Sequence, residues 1–224
     1  MNNSLIISSS SKEVYIGLKN ENNILIKTAT GRNSGSQIII KIDQLLKENK
    51  LKLKDIKNYF IDIGPGSFTG IRISIVTLQG LLMPFEDFSI RKFYFTDIVN
   101  LCLKDKKVVK RAVLKRARED AAYIALYENE MRINEPEMVN FSDFKSYLNG
   151  YTLLGEEALY FKNKYDLKND HREIFFDRDV FIDIEKISKS VDINNLKPLY
   201  LQKPLAVENF EKITGKTLDK KNWD

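Results

Sequence analysis

Residues Gly64 to Leu82, GPGSFTGIRISIVTLQGLL, decide the fold. They hold three of the chain's ten glycines within seven residues and then run directly into an apolar helical pattern. The segment before them, Tyr59-Phe60-Ile61-Asp62-Ile63, is short, aromatic or β-branched, and reads as a strand. Strand, tight glycine loop and helix therefore follow without a break. Pro65 fixes φ on one side of the loop, while Gly64 and Gly66 permit conformations closed to other residues. Ser67 and Thr69 stand where N-cap hydroxyls take up free helix amides.

The helix is apolar on more than one face. Ile71, Ile75, Leu78 and Leu82 form the row expected to pack on a sheet. Two neighbouring rows, Gly70-Ser74-Thr77 and Ile73-Thr77-Gly80, are small or uncharged, a spacing that lets another helix approach closely. Arg72 and Gln79 are the only long polar side chains between Gly70 and Leu82. Such a helix is either a core element or one that meets a partner. The glycine loop is also a candidate anion site. It lacks the GK[ST] ending of a Walker A loop, and threonine stands where GxGxxG needs its third glycine.

At 224 residues the chain is long enough for one large or two small domains. Its 43% hydrophobic and 30% charged content fits a globular protein with a real core. No apolar run approaches the roughly 20 residues of a membrane span. The N-terminus lacks a basic n-region and a long h-region, so no signal peptide is expected. One cysteine, Cys102, excludes an internal disulfide and suits the cytoplasm. The net charge of +5 permits contact with nucleic acid without establishing it.

Read in order, Leu5-Ile6-Ile7, Glu13–Lys19 and Ile24–Ala29 form an antiparallel meander whose first turn holds four serines, Ser8 to Ser11, and whose second is Asn20–Asn23. Ser36 reads as the N-cap of a helix through Lys47, with Ile38, Ile42, Leu45 and Leu46 inward and Ile39 and Ile40 on a second apolar flank. After the central helix come a short strand at Phe88–Ile90 and a helix over Phe93–Leu103. A boundary near 104–107 separates a first unit, 1–104, from a smaller α/β unit, 105–224, whose last residues pack back or are mobile. In the second unit, strands are predicted at Val108–Leu114, Ala121–Tyr127, Arg132–Val139 and Tyr151–Leu154. Helices are predicted at Ser142–Leu148, Glu156–Tyr165 and Phe181–Ser190. Leu196–Lys203 reads as extended, and the charged tail from Glu211 as mobile. This ordering suits a two-lobed α/β protein of actin-like architecture, while pattern alone leaves the topology open.

Catalytic constellations are scarce. His171 is the only histidine and lies in a polar loop, KNDHRE, which excludes histidine-rich metal sites and HExxH proteases. Cys102 reads as a buried thiol. An actin-like ATPase needs a carboxylate at its first strand, where this chain has only serines. Asp62 and Ser67 are the weak candidates for a ligand, with a solvated strand end the plain alternative for Asp62. From Lys104 to Arg118 there are eight Lys/Arg and one Asp. With no aromatic residue among them, this stretch reads first as a solvated strand edge and second as a weak tRNA contact.

Gly64 to Ile75, GPGSFTGIRISI, resembles the signature loop of the bacterial TsaB (YeaZ) family, whose usual form is GPGSFTGLRIG. Arg116–Tyr127 (RAREDAAYIALY), Leu153–Ala158 (LLGEEA) and Pro198–Gln202 (PLYLQ) resemble later landmarks of that family. The resemblance is strong over about nine residues and faint over the rest of the chain. It implies the two-lobed actin-like (ASKHA, ribonuclease H-like) fold with a degenerate nucleotide site. It also implies a cytoplasmic, non-catalytic subunit that supports TsaD in making threonylcarbamoyladenosine at position 37 of ANN-decoding tRNAs. By the same resemblance a TsaE-like ATPase joins the complex and tRNA is met indirectly, while the free protein is open to pairing with itself or to remaining a monomer. The implied interface is Ser36, Ile39, Ile40, Phe68, Thr69, Gly70, Ile73, Ser74, Thr77 and Gly80, with no catalytic residue, cofactor or metal. Ser8, Gly35 and Arg116 stand where the family has an aspartate, a histidine and an acidic motif, which weakens any nucleotide role. Two readings from the residues remain beside it: an actin-like ATPase or kinase with its own turnover, and a basic RNA-binding module.

Overall fold

In the first strand, Leu5 and Ile7 enter one core and Ile6 another, because successive side chains of a strand point to opposite faces. The computed structural model describes residues 3–20, 23–31, 34–174, 176–202 and 205–218. Strands β1 (Asn3–Ser8), β2 (Glu13–Lys19) and β3 (Ile24–Thr30) form the antiparallel meander. Glu21 and Asn22 of its second turn lie outside the described residues. Helix α1 (Gln37–Glu48) follows, then β4 (Ile56–Asp62), parallel to β1. The glycine loop leads into α2 (Phe68–Leu82), and β5 (Ser89–Phe93) lies parallel to β4. Helix α3 (Phe95–Cys102) completes this part.

The second sheet repeats the plan. Antiparallel β6 (Lys110–Arg118) and β7 (Ala121–Glu128) are followed by β8 (Met131–Arg132) and β9 (Glu137–Asn140), both paired with β7. Then come α4 (Phe144–Tyr147), β10 (Thr152–Leu154) parallel to β6, α5 (Ala158–Lys164) and β11 (His171–Arg172) parallel to β10. The chain next returns to the first sheet through α6 (Ile184–Ile187) and β12 (Lys189–Ser190), which pairs with β5, and ends in α7 (Leu205–Thr214). The sheets run β12-β5-β4-β1-β2-β3 and β11-β10-β6-β7-β8, with β9 also on β7.

Among the described residues, four cores hold these layers. Ile38, Ile42, Leu45, Ile71, Ile75 and Leu78 cover one face of the first sheet. Phe144, Leu148 and Phe161 cover one face of the second. Helix α3 lies between the sheets. Its Ile98 and Cys102 pack with Ile6 and Phe60, while Phe95 and Val99 pack with Val113 and Leu154. Val180, Phe181 and Ile184 of the returning segment join Ile6 and Phe60, so the last part of 105–224 packs on the first sheet.

Several sequence expectations change. Arg132–Val139 is two short strands, because Pro136 has no N–H for a ladder and the Asn134 carboxamide takes the Leu126 N–H at 2.7 Å. Phe181–Ser190 is a 3-10 turn, one helical turn and a strand. Arg91 binds the Ser188 carbonyl at 2.6 Å and draws the chain out of the helix. Ser36 is itself helical (φ −68°, ψ −18°) and makes no side-chain cap bond. Of the charged tail, Glu211–Thr214 belongs to α7, and residues 219–224 lie outside the described residues, as do Lys203 and Pro204.

Candidate functional site

The serine turn and the glycine loop close on each other around one carboxylate. Asp62, at the end of β4, is fully buried. Its Oδ2 accepts hydrogen bonds from Ser8 Oγ (2.9 Å), Ser9 N (3.3 Å) and Ser10 N (3.0 Å), and its Oδ1 accepts from Gly64 N (2.8 Å). Burial pushes this carboxyl above the usual range, and the hydrogen bonds from Ser10, Gly64 and Ser8 oppose that rise. Asp62 is thus neither solvated nor open to a ligand. Ser8, which stands where the resemblance expects an aspartate, donates to this carboxylate of the neighbouring strand.

Glycine makes this closure sterically feasible. Gly64 has φ +112°, a conformation that disfavours any Cβ. A Cβ on Gly66 would lie 2.1 Å from the Ser10 carbonyl oxygen, and one on Gly70 would lie 2.6 Å from that of Ser9. The Ser67 N–H donates to the Ser10 carbonyl at 2.9 Å, and the Gly70 N–H to the Ser67 hydroxyl at 3.3 Å. Ser67 is therefore the cap the sequence predicted, while Thr69 stands exposed within the helix. Ser74 is fully buried and donates to Ser9 Oγ at 2.7 Å. It faces inward, so the expected partner contact at Ser74 is replaced by an internal one.

Four amides of the loop pair are committed to internal partners. A helix N-terminus binds an anion through free backbone amides. Here the amides of Ser9, Ser10 and Gly64 go to Asp62, and that of Ser67 to a carbonyl. Beside the loops lies a cleft of about 960 Å³ between the sheets, walled by Lys12, Glu13 and Ile73 on one side and Lys115, Arg116, Glu156 and Glu157 on the other. Its charges are mixed.

The outer side of α2 is open. Thr69, Ile73, Val76, Gly80 and Met83 are exposed along a stripe opposite the buried row, with Thr77 half-buried among them. Val76 is 66% and Met83 83% exposed. Ile39 and Ile40 on α1 are also exposed, next to Ser36. Gly35 joins the two helices, since a Cβ there would meet Ile73 at 2.8 Å. On the other flank, Phe68 lies under the Arg72 guanidinium at 3.8 Å, and Arg72 Nε donates to the Tyr200 hydroxyl at 3.1 Å. Gln79 donates to the carbonyls of Ile193 and Leu196. Both long polar side chains of α2 therefore hold the returning chain and leave the stripe without charge.

The basic stretch is not a solvated edge, because β6 is an interior strand. Arg111 is buried and donates to the carbonyls of Val108 (2.7 Å) and Asp105 (3.2 Å), fastening the linker between the sheets. Lys115 pairs with Glu156 at 3.7 Å, and the Arg116 N–H donates to Glu157. Asp97 of α3 spans the sheets. It accepts from the Tyr127 hydroxyl at 2.8 Å, with Arg132 at 3.6 Å, and burial pushes its carboxyl up to about 6. Cys102 is buried and His171 sits in β11. Among the described residues, no group of three or more His, Cys, Asp or Glu is placed to hold a metal ion, and no helix is long and apolar enough to cross a membrane. Burial of Asp62 and of Ser74 was beyond sequence reading, because their partners are 54 and 65 residues away.

No family model matches the chain. A stretch of 45 residues, 19% of the chain, is 44% identical to the uncharacterized protein MG208 of Mycoplasma genitalium and spans 23% of that protein's length. Two solved structures from Pseudomonas aeruginosa share the architecture over 90% of this chain and all of theirs, each at 16% identity. One is described as YeaZ (TM-score 0.73), the other as an uncharacterized protein with similarity to peptidase YEAZ (TM-score 0.72). The chain thus has the α/β fold of these proteins, built on mixed parallel and antiparallel sheets.

Proposed function

We propose that this chain is a non-catalytic, TsaB-like subunit of actin-like two-lobed architecture that docks a TsaD-like subunit through the outer stripe of α2 and the adjoining turn of α1. The assembly forms threonylcarbamoyladenosine at position 37 of tRNA, with a TsaE-like ATPase as a further member and tRNA met through the complex.

The observation that carries this reading is the uncharged stripe itself. Ile73, Val76 and Met83 expose large apolar groups beside Thr69, Thr77 and Gly80, whose small side chains let a partner backbone come close. Contiguous exposed apolar surface of this kind marks an interaction site. The resemblance of the GPGSFTG loop to that of the TsaB (YeaZ) family, with the likeness in fold to YeaZ, supports a TsaD-like subunit as the partner. Asp62, buried and already holding four donors, argues against its own use in nucleotide turnover by this chain alone.

Light scattering after size exclusion, on this chain alone and mixed with the TsaD-like subunit of the same genome, tests the reading. A complex is expected, and Val76→Glu abolishes it while changing the stability of the free protein by less than about 0.5 kcal/mol, as for an exposed site. Wild-type binding by Val76→Glu sinks the assignment of the stripe.

A further inference from the structure

The arrangement around Asp62 has the form of an occupied anion site. Four donors converge on it: one hydroxyl and two amides from the serine turn, and one amide from the glycine loop. They come from two separate loops and meet at a single carboxylate, as donors do around a bound oxyanion. All four donate, so the group they surround is best matched by an ionised acceptor without a proton of its own. The carboxylate has no solvent access, and the walls leave little room beside it. The Ser10 carbonyl is pressed against Gly66 and bonded to the Ser67 amide, and the Ser9 carbonyl is pressed against Gly70.

We propose that the Asp62 carboxylate is a built-in ligand. It takes the place of an external anion between the serine turn and the glycine loop, and so closes the two loops with no phosphate or nucleotide bound. Asp62 is a positioning residue in this role. Through Ser9, bonded to Ser74 in the middle of α2, the closed turn also sets the phase of that helix and hence the direction of its outer stripe. This last consequence rests on the docking function proposed above. The claim about the loops does not.

The test uses the full chain alone. Asp62→Ala leaves the four donors around a space the size of a carboxylate. Its Tm is expected to fall by about 10 °C or more, as for a broken buried charge site. Sodium formate at ~100 mM should then raise that Tm in a saturable way, as a ligand of the folded state does. Sodium chloride at equal ionic strength and neutral formamide should leave it unchanged. Refolding Asp62→Ala from denaturant into each salt gives a second readout if the variant is unstable. Higher yield in formate than in chloride supports the proposal, and equal yields overturn it. Titration of the wild type with inorganic phosphate gives the third, and no saturable rise in Tm is expected. A saturable rise would show a loop pair open to an outside anion and would overturn the proposal. Loss of binding to the TsaD-like subunit plays no part in these readouts, so failure of the docking reading leaves them intact.

Discussion

The two sheets solve the same joining problem with different chemistry. In each, an antiparallel hairpin is followed by a parallel strand whose end must meet the hairpin before a helix begins. In the first sheet the junction is Gly66 against the Ser10 carbonyl, with the fully buried Asp62 holding four donors. In the second it is Gly155 against the Leu114 carbonyl, where a Cβ would lie at 2.6 Å, with Glu157 accepting the Arg116 N–H near the surface. Glycine is needed at both because backbone meets backbone. The carboxylates differ in what they must satisfy. A buried one needs every lone pair engaged, whereas water completes the shell of an exposed one. Both junctions border the cleft, the first through Ser10, Gly66 and Gly70 and the second through Arg116 and Glu157, but the first buries its carboxylate completely.

The sharpest way to break this comparison is to add a methyl group at each junction. Gly66→Ala should cost at least ~3 kcal/mol, because the clash is with backbone that cannot rotate away. Gly155→Ala, with φ +115° and a less severe approach, should cost somewhat less. Denaturant unfolding of the two variants gives the ranking, and a Gly66→Ala protein as stable as the wild type would show that the loops are not in contact.

Next in size is Asp97, which ties α3 to the second sheet. The charged and titratable groups facing it are Tyr127, Arg132 and Glu135. Its carboxyl is raised to about 6, so the fold favours the protonated form. The stabilisation it contributes is full below the ordinary carboxylate range and is lost as pH rises through about 6, on the order of 3 kcal/mol. Asp97→Asn should flatten the pH dependence of stability between about 4 and 6. An unchanged profile would remove Asp97 as its source. The smallest effect belongs to Gly80→Ala on the open stripe. Nothing stands within 4 Å of a Cβ there, so the variant should gain about 0.5–1 kcal/mol in helix stability, read as a higher midpoint in denaturant.

Periodicity and local residue type made the strands of the meander, the inward rows of α1 and α2, the Ser67 cap and the apolar flank at Ile39, Ile40 and Ile73 legible. Each depends on residues within one or two turns of one another, and chemistry at that range is written in consecutive letters. The basic strand was misread as an edge, since a run of lysines and arginines looks the same whether its strand lies inside a sheet or at its border. Arg111 shows the difference: the linker carbonyls of Asp105 and Val108 solvate it inside the protein. Helix phase relative to a distant turn decided that Ser74 points to Ser9, while Thr77 and Gly80, on the same apolar helix, do not. Sheet order brought the end of β4 beside the serine turn and made Asp62 a buried clamp. What the sequence by itself determined is where apolar surface lies along each element. Only the tertiary structure decided which polar groups are buried, because that depends on donors delivered by strands and loops far apart in the chain.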